Sequence, residues 1–185
     1  MTTTVETTTG SGPPAVATTS ARPEAVFVSF IQSKCKDKGI RAEMRRGLRR
    51  TPADAFTVTR HIALAPYAST FVGHREKVAY AVASFTAAFS PEANASALTF
   101  SRALTQLRHQ GVSSGSIDTR LMSYARASTD AMLYQHLPAI LTHMKSHGIT
   151  VDMGSLMNDL LWWPTSHGKT VKRWMQEYYR SAPKA

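Results

Sequence analysis

The chain has 185 residues, 43% of them hydrophobic, enough to bury a core as one large domain or two small bundles. Its 22 Lys and Arg outnumber 12 Asp and Glu, a net charge of +10 that points to a polyanionic partner, a nucleic acid first and an anionic membrane surface second. No apolar run approaches the roughly 20 residues that span a bilayer, and the lone Cys35 excludes an internal disulfide and suits a reducing compartment.

Residues 1–22 are rich in Thr, Gly and Pro without apolar periodicity, so a disordered tail is expected. The segment lacks the basic start and apolar centre of a signal peptide, which predicts a cytoplasmic location. Pro23 suits a first helical position, followed by an apolar stripe of Val26, Phe27, Phe30 and Ile31. After Gly39, the stripe Ile40, Met44 and Leu48 predicts a second helix, closed by Thr51-Pro52. Its opposite face carries Arg41, Arg45, Arg46, Arg49 and Arg50, with like charges repeating at i+4 and Glu43 within reach of Arg46 alone. Each such pair costs only a few tenths of a kcal/mol, yet nothing in the helix offsets it, so a polyanion from outside is the natural counter-charge.

Thr51-Pro52-Ala53-Asp54 predicts the cap of a third helix through about Ala65, with Phe56, Thr59 and Ile62 on one side. Val78, Val82, Phe85 and Phe89 mark a buried fourth helix rich in small residues, and "SPEANAS", residues 90–96, divides the chain. Beyond it Ala97, Phe100, Leu104 and Leu107 form a stripe stopped at Gly111, and a helix started by Ser116 carries Leu121 and Tyr124. Asp130 is placed to cap a helix from Ala131 to Ser146, which Pro138 should kink or split. Asp152 is placed to cap a short helix to Trp163, broken by Pro164, and Val171, Trp174, Met175 and Tyr178 mark the last, about Lys169 to Tyr179. Strand alternation and hairpin turns are nearly absent. The expected architecture is all-α: two adjoining helical bundles, residues 23–90 and 95–182, behind the tail.

Chemistry-bearing motifs are sparse. His143 and His147 stand four apart, but "HMKSH" lacks the Glu a zinc protease uses as general base, and the other histidines form no ligand cluster. There is no paired-carboxylate context, nucleophile elbow or phosphate loop. Neither an enzyme nor a metal or cofactor site is expected. "RALTQLRHQGVSSGSIDTRLMSYARA", residues 102–127, has the outline of a helix-turn-helix, so a free-standing DNA-binding regulator is the alternative reading. On its second helix Arg120 and Arg126 lie about 240° apart and no Asn or Gln stands near the start, which suits phosphate contact better than base readout. Trp162 and Trp163 could stack on unpaired bases, but behind Leu160 and Leu161 a core role, shared with Trp174, is expected.

"KDKGIRAEMRRG", "FSRALTQLRHQGVSSGSIDTRLMSYARA" and "ILTHMKSHGITVDMGSLMNDLLWW", in this order, resemble the CasB family, the small subunit of the type I-E CRISPR surveillance complex, Cascade, over about residues 25–180. The resemblance implies a non-catalytic subunit, two copies side by side against the backbone and large subunits, bound to crRNA and target DNA and stabilising the R-loop. Position by position it places Arg46, Arg102, Arg120 and Arg126 on the nucleic-acid face. With the arginine face of the second helix, the candidate binding set is Arg41, Arg45, Arg46, Arg49, Arg102, Arg120 and Arg126. Ser101 stands where the family often has Gly, and Thr119-Arg120 where it has two basic residues.

Overall fold

The computed structural model describes residues 22–181 and is all-α, with no β-strand among the described residues. The expected tail lies outside them except for Arg22, the residue preceding the first helix. In chain order the helices are α1 (Pro23–Lys34), α2 (Lys38–Arg46), α3 (Phe56–Ile62), α4 (His74–Phe89), α5 (Phe100–His109) and α6 (Ser114–Tyr124). They continue with α7 (Thr129–Ala131), a π-helical segment (Met132–His136), α8 (Leu137–Ser146), α9 (Met153–Leu161) and α10 (Trp163–Ser181).

The organising element is α4. Every residue from Val78 to Ala88 is buried, and a helix apolar all round must be enclosed by others. α1, α2, α3, α8 and α9 pack around it. The small side chains Ala79, Ala81, Ala83 and Ala87 admit these neighbours closely. The buried side chains of the two halves, from Phe27 to Tyr178, make one continuous cluster. Residues 90–96 therefore join two halves that share a core. Leu98 and Val151 add an isolated parallel bridge, with Leu98 N–H donating to Thr150 O at 3.0 Å and Asp152 N–H to Leu98 O at 2.8 Å.

Several expected boundaries move, each for a local reason. α2 ends at Arg46, not at Arg50, because Gly47 packs against its neighbours: a Cβ there would lie 2.6 Å from both Ser84 Oγ and Val58 Cγ2. Residues 52–54 form a 3₁₀ turn, and non-helical Ala55 resets the phase of α3. Val58, His61 and Ile62 face inward, whereas Phe56 is 78% exposed and Thr59 exposed. Ser113, not Ser116, caps α6, its hydroxyl accepting the Ser116 N–H. Ser128 caps α7, its hydroxyl accepting the Ala131 N–H, while Asp130 pairs with Lys77 across the two halves at 2.9 Å. Pro138 sits in the first turn of α8, directly after the π-helical segment, where its missing N–H costs little. Asp152 caps α9 as expected, accepting from Gly154 and Ser155 N–H. The break then comes at Trp162, so Pro164 lies inside the first turn of α10, whose kink is at Ser166.

Candidate nucleic-acid interface

α2 is built to hold a cationic face outward. The Asp37 carboxylate caps it, accepting from Gly39 N–H at 2.7 Å and Ile40 N–H at 3.0 Å. Met44 is buried, with Ile40 and Leu48 packed half-buried beside it, as the spacing predicts. Glu43 does not serve Arg46. It reaches across to α3, accepting from the Arg60 guanidinium and lying 2.8 Å from His61 Nε2. His61 foremost, then Arg60, hold the Glu43 carboxyl below the usual carboxylate value. The one acid of α2 is thus turned away. Arg41, Arg45, Arg46, Arg49 and Arg50 form no ion pair among the described residues.

These arginines differ in their attachments. Arg41 is half-buried, and its Nε donates to Ala87 O at 3.3 Å. Lys145, in the last turn of α8, donates from Nζ to Ala88 O at 2.6 Å. Both cations satisfy carbonyls left open at the C-terminal end of α4, where the helix dipole is negative. Arg45 and Arg46 are exposed. Arg49, beyond the end of the helix, is exposed and has φ +64°, a left-handed geometry uncommon for a side-chain-bearing residue. Arg41 and Lys145 also line a cleft of 370 Å³ with Phe89, Thr150 and residues 90–94.

α8 links this cluster to α6. The Lys145 ammonium is pushed below the usual lysine value by burial first, then by the charges of Arg45 and Arg41. On the same helix, burial pulls the His143 imidazole down, and His147 and Arg120 of α6 pull it further. His143 and His147 pack edge to face, their ring centroids 4.6 Å apart. Arg120 is half-buried beside Tyr124, whose hydroxyl burial pushes up to about 12 against the opposing pull of Arg120. Packing therefore sets Arg41 and Arg45 of α2 near Lys145, and Arg120 of α6 near His143, which stands two residues earlier on α8 and about 200° around it, so the basic run across α2, α8 and α6 wraps around α8 instead of lying on one face. Spacing in the sequence does not single out Lys145. Its only signal is a basic residue in the last turn of a helix, flanked by the two histidines.

Arg102 and Arg126 stand elsewhere. Arg102 is exposed on α5 and lines a separate 400 Å³ cleft with Thr99, Glu177 and Arg180. Next to it, Ser101 donates to the Glu177 carboxylate, so the side chain at this position ties α5 to α10. Arg126 is exposed just past the end of α6. The tryptophans divide: Trp163 and Trp174 are each 1% exposed, whereas Trp162 is 55% exposed, which corrects its expected core role. The cause is the end of α9 at Leu161, which leaves Trp162 at the C-cap. Trp174 Nε1 donates to buried Asp159 at 2.8 Å, and Arg173 pairs with the same carboxylate.

Among the described residues no group of three or more His, Cys, Asp or Glu is placed to hold a metal ion, and no helix is long and apolar enough to cross a membrane. A family model for the CRISPR-associated protein Cse2 matches residues 40–179. Among solved structures, a chain of a CRISPR RNA-guided surveillance complex, pre-nicking, is similar at 28% identity and a TM-score of 0.74, over 86% of this chain and 93% of that one. A chain of another CRISPR RNA-guided surveillance complex is similar at 25% identity and 0.70, over 86% and 92%. CasB from Thermus thermophilus, at 21% identity and 0.67 over 85% and 98%, shares the fold. A search among curated proteins returns no match. The family model and the solved structures agree with the resemblance carried by the three sequence segments: the chain belongs to the family of the CRISPR-associated protein Cse2, the CasB family.

Proposed function

We propose that this chain is a non-catalytic subunit of a crRNA-guided antiviral complex of the Cascade type, working in the cytoplasm and gripping the phosphate backbone so that the R-loop is stabilised during recognition of double-stranded DNA. Family membership and the likeness to chains of surveillance complexes support the subunit role. The partners on this reading are the backbone and large subunits, crRNA and target DNA, with two copies of the chain side by side.

One observation carries the gripping role. The cations Arg41 and Lys145 are held together at the C-terminal end of α4, with Arg45 close to Lys145, and the one acid of α2, Glu43, is committed to α3. Like charges held together repel, so the assembly makes sense when an anion from outside completes it. In RNA-guided recognition base pairing reads the sequence, and protein needs only to hold backbone. Arg46, Arg49, Arg102 and Arg126, all exposed, extend the grip.

The test is R-loop formation by the reconstituted complex carrying Ala at Arg46, Arg102, Arg120 and Arg126. Single substitutions are expected to weaken target binding modestly and the combination strongly, by similar factors for any fully matched guide and target, because phosphates carry no sequence information. Wild-type R-loop stability in the quadruple variant would overturn the proposal. A defect that depends on target sequence would favour base readout, and with it a helix-turn-helix regulator.

A further inference from the structure

Trp162 is 55% exposed although Leu160 and Trp163, close by in sequence, are each 1% exposed. Its backbone is fixed. The Trp162 carbonyl accepts the Thr165 N–H at 3.2 Å, the Ser166 N–H at 2.9 Å and the Ser166 hydroxyl at 2.7 Å. Ser166 leaves helical geometry, with φ −140° and ψ 16°, and beside this kink a cleft of 280 Å³ lies between α9 and α10, lined by Trp162, Lys169 and Arg173 among others. The Arg75 guanidinium stands 5.9 Å from the indole centroid, at the edge of cation–π range. The one acid in the cleft, Asp159, is taken up by Arg173 and Trp174. Lys169 is exposed and forms no ion pair among the described residues.

The site thus offers an open aromatic face on a fixed backbone, with cations around it and no free acid. A 280 Å³ cleft falls just below the roughly 300–1,000 Å³ range of drug-sized ligand pockets, so the occupant is small or enters only in part. Protein interfaces deplete Lys around their buried centre, and here exposed Lys169 lines the cleft beside the aromatic with no acid paired to it among the described residues. An unpaired nucleobase fits better: it stacks on an aromatic through its π-face whatever its identity, and its phosphates need cations beside it.

We propose that Trp162 is a stacking platform for an unpaired base of single-stranded nucleic acid, with Arg75 and Lys169 meeting the adjoining phosphates. The inference rests on the backbone-gripping function above and adds a base-contacting site apart from the run on α2, α8 and α6.

The test uses the full chain at low salt and two strands of equal length and charge, an oligothymidylate and an abasic deoxyribose-phosphate strand. The oligothymidylate is expected to bind about 5- to 150-fold more tightly than the abasic strand, the factor that one stacked base supplies. It should also quench tryptophan fluorescence, of which Trp162 is the exposed source. Trp162→Ala should bind both strands alike while staying folded, its melting temperature lowered by a few degrees at most, and Trp162→Phe should keep part of the preference. A preference that survives Trp162→Ala overturns the proposal. If wild type binds both strands equally and arginine substitutions on α2 weaken both, stacking falls while the backbone grip stands. If neither strand binds, both fall. A Trp162→Ala chain that binds oligothymidylate normally but fails to enter the assembled complex would assign the face to a protein partner, again overturning it.

Discussion

Replacing Arg41 and Arg46 by Ala, one at a time, should separate two jobs that a single arginine face performs. Arg46 is exposed and makes neither a side-chain hydrogen bond nor an ion pair among the described residues, so its removal should change stability by no more than about 0.5 kcal/mol. Its loss should appear in the salt dependence of binding. Each neutralised phosphate accounts for a log–log slope of about −0.7 on single strands and −0.9 on duplex, so over a fourfold rise in salt one contact is worth roughly threefold in affinity. Arg41 is half-buried and donates to Ala87 O at the C-terminal end of α4. Deleting a cation bonded there should cost about 1 to 2 kcal/mol, or about 2 to 8 °C in a domain of this size. The slope should change by less than one contact, because the Arg41 guanidinium is already engaged with the Ala87 carbonyl and is only partly free to meet a phosphate. Thermal melts and titrations of a labelled strand at several salt concentrations measure both quantities. The reasoning fails if Arg46→Ala melts several degrees lower or keeps the wild-type slope, or if Arg41→Ala melts like wild type.

The tryptophans should divide in urea denaturation: Trp163→Ala and Trp174→Ala should each cost about 3 to 5 kcal/mol, against at most about 2 kcal/mol for Trp162→Ala, whose side chain is already 55% exposed. Equal costs for all three would contradict the burial described above. Gly47→Ala should cost about 1 to 3 kcal/mol by overpacking, since the added methyl would meet Val58 and Ser84 at 2.6 Å; Val58→Ala should cost less in the Gly47→Ala chain than in the wild type, and strict additivity of the two changes would argue against the clash. His143 is held below its usual value by burial, His147 and Arg120, and a phosphate beside Arg120 would raise it, so binding takes up a proton. Affinity should therefore increase as pH falls from above the bound-state value of His143 toward its lower free-state value, and level off below both. His143→Gln should flatten that part of the profile, and an unchanged profile would remove phosphate from the neighbourhood of His143.

The apolar stripes were legible because burial imposes the 3.6-residue period directly on residue choice, so Ile40 and Met44, Val78 and Phe85, or Val171 and Trp174 announce their helices unaided. Helix ends were less so, although Pro23 opens α1 and Asp152 caps α9 as expected, because a cap depends on which of several equivalent side chains reaches an N–H. The run of Ser113, Ser114 and Ser116 offers three candidates, and only folded geometry selects Ser113. The phase of α3 failed for a related reason: Pro52 and Asp54 start a 3₁₀ turn, which advances 120° per residue instead of 100°, and Ala55 then breaks the count, placing Phe56 in solvent and Val58 in the core.

At the candidate site the excess of arginine was plain in the sequence, but the fate of its compensating charge was not. Glu43 lies three residues from Arg46 and two from both Arg41 and Arg45, so sequence proximity assigns it to its own helix; packing gives it to Arg60 and His61, 17 and 18 residues away. That exchange decides whether α2 is an internally compensated surface helix or an open cationic one. Lys145 presents the same problem in reverse. It is about 100 residues from Arg41 and Arg45 in the chain, yet α4 presents Ala87 and Ala88 carbonyls that hold Arg41 and Lys145 side by side. A helix terminus, needing cations for its own carbonyls, thereby gathers charges that a phosphate backbone can also use. By the same logic, Arg41 and Lys145 are the cations whose removal should disturb the fold, while Arg45, Arg46 and Arg49, which have no side-chain partner among the described residues, should leave it undisturbed.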